Sequence, residues 1–264
     1  RTFGPREDPV SSISADHLSR RFDGFAAVDD LSLEVRAGEV FGLLGANGAG
    51  KTTLIRMLCG LLPPSSGNAH VAGIDVVADP RGLRQRIGYM SQRFSLYGDL
   101  SVAENLAFFA RAYGLDRRAA RESIAWASGV TGLAGFEHRS VARLSAAVRQ
   151  RLGLACGILH RPDVVFLDEP TSGVDPLSRF RFWRLVNALA AAGTTVLVTT
   201  HYLEEAAYCH RLGLMHEGRL IALGDLVSLR AKLPAEVPET VEAVFVAHIE
   251  RERARTLRQC GIAS

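Results

Sequence analysis

Short apolar runs rich in valine, leucine and phenylalanine alternate along this chain with longer runs of helical periodicity. The strand-like runs are SLEV (32–35), EVFGLL (39–44), IGYMSQ (87–92), DVVFLDEP (163–170) and TTVLVTT (194–200). Helical runs extend from Lys51 to about Cys59 and from Pro176 to Ala191. Strands that alternate with helices are typical of a largely parallel sheet covered by helices. The pattern therefore predicts an α/β fold.

Residues 93–159 interrupt this alternation, because they have helical periodicity and no strand pattern. Ser101 and Glu104 form an S-x-x-E capping box, which marks the start of a helix. The apolar face of that helix carries Val102, Leu106, Phe109 and Tyr113. Two further helical stretches run from Asp116 to about Ser128 and from Ser145 to about Leu159. We interpret the block as a helical subdomain inserted into the core.

The two ends of the chain differ from this core. LGLMHEGRLIALG predicts a pair of strands that turns at Gly218, and the residues beyond it predict a charge-rich helix with ERERARTLR on its solvated face. The sequence thus divides into a linker (1–11), a core (12–92 and 160–232), the helical subdomain (93–159) and a C-terminal helical extension (233–264).

The charge balance argues against one class of partner. The 264 residues include 31 basic and 28 acidic residues, which gives a formal net charge of +3. A protein that coats nucleic acid normally has a dominant basic face, so we predict no nucleic-acid partner. Only Lys51 and Lys232 are lysines, which makes the position of each lysine informative.

The segment GANGAGKTT (45–53) follows a predicted strand, precedes a predicted helix and matches the pattern G-x-x-x-x-G-K-[ST]. Its glycines let backbone N–H groups turn inward as an anion-binding nest, at which the helix directs its positive dipole end. Lys51 is suited to reach the β- and γ-phosphates of a nucleotide, and Thr52 is suited to ligate Mg²⁺. A turn that only joins a strand to a helix is the alternative, which the complete match disfavours. The predicted ATP-binding residues of the loop are Gly45, Ala46, Asn47, Gly48, Ala49, Gly50, Lys51, Thr52 and Thr53.

Two adjacent acids end the strand-like run VVFLDE (164–169). A P-loop nucleotide site needs a carboxylate for its metal ion. We predict that Asp168 holds Mg²⁺ through water and that Glu169 activates the attacking water. A buried strand that ends in a polar turn is common on its own, and the glycine loop upstream is what makes this interpretation specific.

In combination, these motifs and several further segments resemble the ABC (ATP-binding cassette) ATPases over about residues 12–231. The resemblance implies a P-loop NTPase core with a mixed, largely parallel sheet, an antiparallel β subdomain and an inserted helical subdomain. Gln92 resembles the Q-loop glutamine, which senses Mg²⁺ and the γ-phosphate. Asp175 in SGVDP resembles the D-loop acid, and His201 resembles the switch histidine that contacts the γ-phosphate.

The same resemblance assigns the remaining roles at the site. Phe22 resembles the aromatic residue that stacks on adenine, and Phe25 is its rival because any exposed ring can stack. The implied catalytic residues are Lys51, Glu169 and His201, and the implied metal-binding residues are Thr52, Gln92 and Asp168.

LSAAVRQR (144–151) occupies the place of the family's signature motif, which in most members reads L-S-G-G-[QME]-x-Q-R. Ser145, Gln150 and Arg151 match the motif, whereas Ala146 and Ala147 replace both glycines. In the family, the signature of one subunit faces the γ-phosphate bound by its partner. An added Cβ crowds that close approach of backbone to phosphate, so we predict a degenerate signature, with a tolerated substitution as the alternative.

The resemblance extends to the ATP-binding subunits of ABC-2-type exporters, through FSLYGDLSVAENL and LDEPTSGVDPLSRFRFW. It implies an ATPase that uses ATP and Mg²⁺ to power a multidrug-type exporter, as a peripheral subunit on the cytoplasmic face of the inner membrane. The implied partners are a transmembrane permease subunit and a second nucleotide-binding cassette, in trans or on the same polypeptide. Aromatic residues expected to receive a permease helix are Phe94, Tyr97, Phe108, Phe109 and Tyr113, with a place in the core as the alternative for about half of them. The alternatives are a nucleotide-responsive regulatory clamp and a soluble cassette ATPase without a transport role.

Overall fold

Two sheets organise the molecule, which the computed structural model describes over residues 11–92 and 96–259. The strands in these ranges are β1 (Ser11–Phe22), β2 (Phe25–Arg36), β3 (Val40–Leu44), β4 (Ser66–Val71), β5 (Ile74–Asp75), β6 (Ile87–Met90), β7 (Val164–Asp168), β8 (Thr195–Thr200), β9 (Arg211–His216) and β10 (Arg219–Gly224). The α-helices are α1 (Lys51–Leu58), α2 (Pro80–Arg86), α3 (Val102–Ala112), α4 (Arg117–Thr131), α5 (Ala146–Ile158), α6 (Pro176–Ala191), α7 (Leu226–Ala231) and α8 (Val241–Gln259). Short 3-10 helices lie at Val141–Arg143 and Leu203–Tyr208.

The larger sheet has the strand order β10-β9-β3-β8-β7-β6, in which only the β9–β10 pair is antiparallel. Its central strands β3, β7 and β8 are buried along their whole length, which explains why they read as continuous apolar runs. Because parallel strands point the same way, the residues that follow these three strands meet at one edge of the sheet. This confirms the predicted mixed, largely parallel sheet and assembles the candidate site.

The smaller sheet is antiparallel, with the strand order β2-β1-β4-β5. Strands β1 and β2 form a long hairpin that closes at Phe22 and Phe25, across a turn in which Asp23 and Gly24 have φ values of 40° and 87°. The sequence pattern predicted only residues 32–35 of this hairpin as strand. Register shifts within β1 and a left-handed backbone at His17 interrupt the alternation of polar and apolar positions, so the strand leaves no regular pattern.

The helical block consists of α3, α4 and α5, which pack on one another and against α6. The predicted capping box is confirmed: the Ser101 N–H donates to the Glu104 carboxylate at 2.8 Å, and the Glu104 N–H donates to the Ser101 hydroxyl at 3.3 Å. Of the aromatic residues expected to form a docking surface, Phe94 lies outside the described residues. The block places α5, which carries the predicted signature motif, beside the core.

The C-terminal part departs from the prediction of a helix that starts at residue 233. The helix α8 begins only at Val241, because Pro234 and Pro238 lie in the preceding stretch and proline disfavours a continuous helix. Val244 of α8 packs against a small apolar cluster with Leu212 and Leu214. Within the described ranges, no helix combines the length and the apolar character needed to cross a membrane.

Candidate active site

The loop between β3 and α1 can form only with glycine at certain positions. Gly48 and Gly50 have φ values of 81° and 101°, in the left-handed region that disfavours other residues. A Cβ atom at Gly50 would lie 2.2 Å from the carbonyl oxygen of Ala27, and one at Gly45 would lie 2.5 Å from that of Met215. The glycines therefore allow the loop to lie close to two neighbouring strands and to start α1 directly.

Lys51 directs its ammonium group into this loop rather than into solvent. The Nζ atom donates to the carbonyl oxygens of Gly45 at 2.7 Å and Ala46 at 3.1 Å, and it lies 3.6 Å from Glu169 Oε1. Burial lowers the pKa of Lys51, and the carboxylates of Glu169 and Asp168 act in the opposite direction. The result is a positive charge fixed where the loop could hold phosphates.

Asp168 ends β7 with its carboxylate turned towards α1. Its Oδ1 atom accepts hydrogen bonds from the hydroxyls of Thr52 at 3.2 Å and Thr199 at 2.7 Å, and the residue is buried. Mg²⁺ prefers oxygen ligands and usually takes only one or two from the protein, with water and substrate phosphates supplying the rest. The Thr52 hydroxyl and the Asp168 carboxylate meet these requirements, so the residues present fit the metal ion that the family implies.

Three side chains predicted to belong to the site surround the carboxylate of Glu169. Gln92 Nε2 donates to its Oε2 atom at 3.1 Å, His201 Nδ1 lies 3.2 Å from the same atom, and Lys51 lies by Oε1. The Glu169 backbone has a φ of 48° and donates its N–H to Thr199. A left-handed conformation costs a non-glycine residue on the order of 1 kcal/mol or more, and it turns the side chain into the cleft.

Two aromatic rings flank this cleft, whose volume is about 470 Å³. Phe22 and Phe25 both line it, together with the glycine loop, Gln92 and Glu169. The Arg20 guanidinium lies 4.6 Å from the centre of the Phe22 ring and covers it in part. Phe22 is 41% exposed and Phe25 is 64% exposed, so the geometry offers either ring to a planar base.

The signature segment points its polar side chains in two directions. Ser145 is exposed and caps α5 by accepting the Val148 N–H, and Ala146 and Ala147 form the first turn of the helix. Gln150 is instead buried, and its Nε2 donates to the Pro170 carbonyl oxygen at 2.8 Å. The glutamine therefore ties α5 to the segment that follows Glu169, whereas the serine stays on the surface.

Asp175 lies on the surface at the start of α6. Its carboxylate accepts the Ser178 N–H at 3.0 Å, and hydrogen bonds from Ser178 lower the pKa of Asp175. Neither Asp175 nor residues 145–147 line the cleft that the glycine loop forms. The predicted site residues thus fall into two groups, one around Glu169 and one on a separate surface.

Sequence reasoning missed Thr199, which orients both acids from the neighbouring strand. Its hydroxyl donates to Asp168 and accepts from the backbone of Glu169. Thr199 is one of several threonines in TTVLVTT, and its contacts depend on the pairing of β7 with β8. That pairing is not visible in the local sequence.

Comparisons with known proteins agree with this geometry. The family model described as ABC transporter matches residues 28–172, more than half of the chain. The probable multidrug ABC transporter ATP-binding protein YbhF of Escherichia coli (strain K12) is 48% identical over 236 residues, which cover 89% of this chain and 41% of that protein. The daunorubicin/doxorubicin resistance ATP-binding protein DrrA of Streptomyces peucetius is 43% identical over 230 residues, 87% of this chain and 70% of that protein.

Solved structures extend the agreement to the whole fold. An ATP binding subunit of an ABC transporter superposes with a TM-score of 0.81 at 27% identity, covering 90% of this chain and all of that one. The cbiO1 protein of Clostridium perfringens, part of the ABC transporter complex cbiONQ, gives a TM-score of 0.76 at 28% identity over 85% of this chain and 96% of that chain. The chain spans less than half of YbhF but most of DrrA. It belongs to the ATP-binding proteins of the ABC transporter family.

Proposed function

We propose that this chain binds ATP with Mg²⁺ and hydrolyses the nucleotide to ADP and phosphate, to power a membrane exporter. The observation that carries the proposal is the convergence of Gln92, His201 and Lys51 on the carboxylate of Glu169, beside the glycine loop. A turn whose only role is to join a strand to a helix does not require a cluster of charged side chains beside it. Within the cluster, Lys51 and Glu169 are only 4% and 10% exposed, and both line the cleft that the glycine loop forms.

The residues of the site have separate roles in hydrolysis. The loop N–H groups and Lys51 hold the phosphates, and Thr52 and Asp168 hold the metal ion. When bound, Mg²⁺ offsets the negative charge of the phosphate oxygens. Glu169 orients the attacking water and accepts its proton, while His201 and Gln92 keep the carboxylate in place. The water oxygen forms the new bond to the γ-phosphorus, and ADP leaves with the electrons of the broken bond.

The signature alanines make the two sites of a cassette pair unequal. Ala146 and Ala147 keep the N–H groups that would donate to a partner's γ-phosphate, but their Cβ atoms crowd the approach. Loss of one charge-assisted hydrogen bond costs about 1.5–3 kcal/mol, or roughly a ten- to hundredfold effect. The site built on this chain's glycine loop therefore needs a second cassette with an intact signature. The reciprocal site, which uses these alanines, hydrolyses ATP slowly or serves as a clamp.

The helical block provides the surface for the membrane partner. Tyr97 and Phe108 are 47% and 38% exposed, and their rings meet edge to face with centres 4.7 Å apart. The block also borders a groove of about 810 Å³, whose lining includes Arg81, Arg84, Tyr113, Leu115 and His160. Neither Tyr97 nor Phe108 lines that groove, but exposed aromatic residues are typical of a protein interface. We propose that a short helix of a transmembrane permease subunit docks on this block, and that the chain is a peripheral subunit at the cytoplasmic face of the inner membrane.

The names of the relatives support export as the direction of transport. YbhF is named a probable multidrug transporter protein, and DrrA is named for resistance to daunorubicin and doxorubicin. We propose that the membrane subunit selects the cargo, because the glycine loop lines the described cleft of this chain and fits that cleft to a nucleotide. The chain itself supplies the energy.

The test is Mg·ATP binding and hydrolysis by the purified chain, with Lys51→Ala as the blank. Lys232→Ala is the matched control, since Lys232 is exposed and its ammonium contacts only the Leu223 carbonyl in the described structure. ATP binding that Lys51→Ala abolishes and Lys232→Ala preserves supports the proposal, and absence of binding overturns it. Binding without turnover supports the need for a second cassette. Turnover that rises with protein concentration means that two copies suffice, and it contradicts the proposed asymmetry.

A further inference from the structure

A fully buried carboxylate lies just behind the candidate site. Glu205 is 0% exposed and sits in the 3-10 helix that follows His201 by two residues. The Thr171 hydroxyl donates to Glu205 Oε1 at 2.6 Å, and Thr171 is itself buried. Thr171 lies two residues after Glu169. The contact therefore joins the segment that carries the carboxylate of the site to the segment that carries its histidine.

Arg179 of α6 supplies the opposite charge. Its Nε atom lies 3.7 Å from Glu205 Oε1, and its guanidinium lies 4.3 Å from the centre of the Tyr202 ring. The Tyr202 ring in turn lies 4.2 Å from the ring of His201. A buried carboxylate is strongly unfavourable unless it is paired, so Glu205, Thr171 and Arg179 depend on one another.

The loop after Glu169 is also held from its other side. The buried side chain of Gln150 donates to the carbonyl oxygen of Pro170, the neighbour of Thr171. Two adjacent residues are thus tied to two different elements, Pro170 to the signature helix α5 and Thr171 to the segment after His201. Hydrogen bonds of this length leave the loop little freedom to shift.

We infer that Glu205 is a positioning residue for ATP hydrolysis, which holds the Thr171 loop against the His201 segment so that His201 and Gln92 meet the same oxygen of Glu169. The inference rests on the proposed function and deepens it. Glu205 touches none of the reacting atoms, and it acts through Thr171 and Arg179. Displacement of a catalytic group by about 1 Å is enough to cost about a hundredfold in rate, so a residue behind the site can control turnover.

Three variants separate the parts of this network. Glu205→Gln keeps the shape of the side chain but removes the buried charge that lies 3.7 Å from Arg179, whose guanidinium retains the exposed Glu204 carboxylate at 3.6 Å. Thr171→Val removes the hydroxyl and keeps the shape, whereas Thr171→Ser keeps the hydroxyl and serves as the conservative rescue. The matched control is Glu39→Gln, because Glu39 is a buried carboxylate in an ion pair with Arg211 at 3.2 Å, at the opposite edge of the sheet.

The first measurement uses the chain assembled with its membrane complex. We expect Glu205→Gln and Thr171→Val to lower kcat by about ten- to a hundredfold with KM for Mg·ATP within about twofold of wild type. Thr171→Ser and Glu39→Gln keep kcat near wild type. A kcat for Glu205→Gln equal to that of Glu39→Gln overturns the inference.

The second measurement does not depend on turnover. In the purified chain with isotope-labelled histidine, the ring resonances of His201 are assigned by comparison with His201→Asn. We expect Glu205→Gln and Thr171→Val to move these resonances, and Glu39→Gln to leave them in place. Unmoved His201 resonances in Glu205→Gln overturn the inference. A wild-type chain that binds no ATP would contradict the proposed function alone, and the His201 resonances would still decide whether Glu205 positions the histidine.

Discussion

Lys51 Nζ lies 3.6 Å from Glu169 Oε1, and the two side chains are only 4% and 10% exposed. The lysine ammonium thus contacts both its own loop and the carboxylate across the cleft. A γ-phosphate would compete with Glu169 for this ammonium group, because it carries more negative charge. Nucleotide binding would then release Glu169 from the lysine and leave it to Gln92 and His201.

Glu169→Gln is expected to keep ATP binding and to lose hydrolysis. The amide retains the shape of the side chain but cannot accept a proton from water, and a general base contributes about 10²–10⁴-fold to rate. The measurement is the ATPase rate of the complex together with ATP affinity of the chain. Glu122→Gln, on the exposed face of α4, is the control and should change neither quantity. A Glu169→Gln rate within about tenfold of wild type would contradict the role of Glu169 as the base.

Restoration of the signature glycines is expected to raise ATPase activity of the complete complex. The double variant Ala146→Gly and Ala147→Gly removes two Cβ atoms from the surface that would face a partner's phosphate. It also weakens the first turn of α5 by about 0.5–1 kcal/mol per glycine. The pair Ala119→Gly and Ala120→Gly in the first turn of α4 adds a similar helix cost, with some loss of core packing at Ala120, and serves as the control. An unchanged ATPase rate in the signature variant would mean that the alanines are a tolerated substitution.

The glycine loop and the acid pair could be predicted because their chemistry is local in sequence. Residues 45–53 carry their own turn, charge and hydroxyl, and Asp168 and Glu169 are adjacent at the end of an apolar run. The contact of Gln92 and His201 with one oxygen of Glu169, in contrast, is not local in sequence. It depends on the order of β6, β7 and β8 in the sheet, which residues alone do not reveal. Only the resemblance to a family suggested those two residues.

Glu205 shows why the rest of the site could not be predicted. In the sequence it is one of two adjacent glutamates after His201, and its neighbour Glu204 is 89% exposed. Which of the two glutamates is buried depends on the 3-10 geometry of the segment and on the position of Thr171, 34 residues earlier. Similarly, the irregular register of β1 and the prolines before α8 moved element boundaries away from those that periodicity predicts.

His160 is expected to make stability depend on pH in the mildly acidic range. Its ring stacks on Tyr113, Nε2 bonds to the Ile87 carbonyl oxygen, and the buried Nδ1 has no hydrogen-bond partner among the described residues. Burial lowers the pKa of His160 below its ordinary value of 6.5. The unfolded chain therefore takes up the proton first. The stabilisation is fully present above the unfolded pKa of 6.5 and is lost as the pH falls through the folded pKa.

The measurement is the free energy of unfolding in urea between pH ~7.5 and ~5.5, for wild type and His160→Gln. The variant should lose less stability than wild type over this interval. Part of the pH dependence should remain, because burial also lowers the pKa of His248. Equal slopes in the two proteins would mean that His160 does not contribute.

Tyr97→Asp is expected to release the chain from its membrane subunit and to leave ATP binding intact. The ring is 47% exposed and packs edge to face on Phe108, so a carboxylate there places a charge in the proposed interface without opening the core. Copurification of the tagged chain with membrane protein measures the docking, and ATP affinity of the purified chain reports on the site. Val227→Asp is the control, because Val227 is an 80% exposed apolar residue on α7, outside the helical block. If both variants copurify as well as wild type, the permease contacts a different face. If both fail, loss of an exposed apolar residue is harmful wherever it lies, and Tyr97 has no special role in docking.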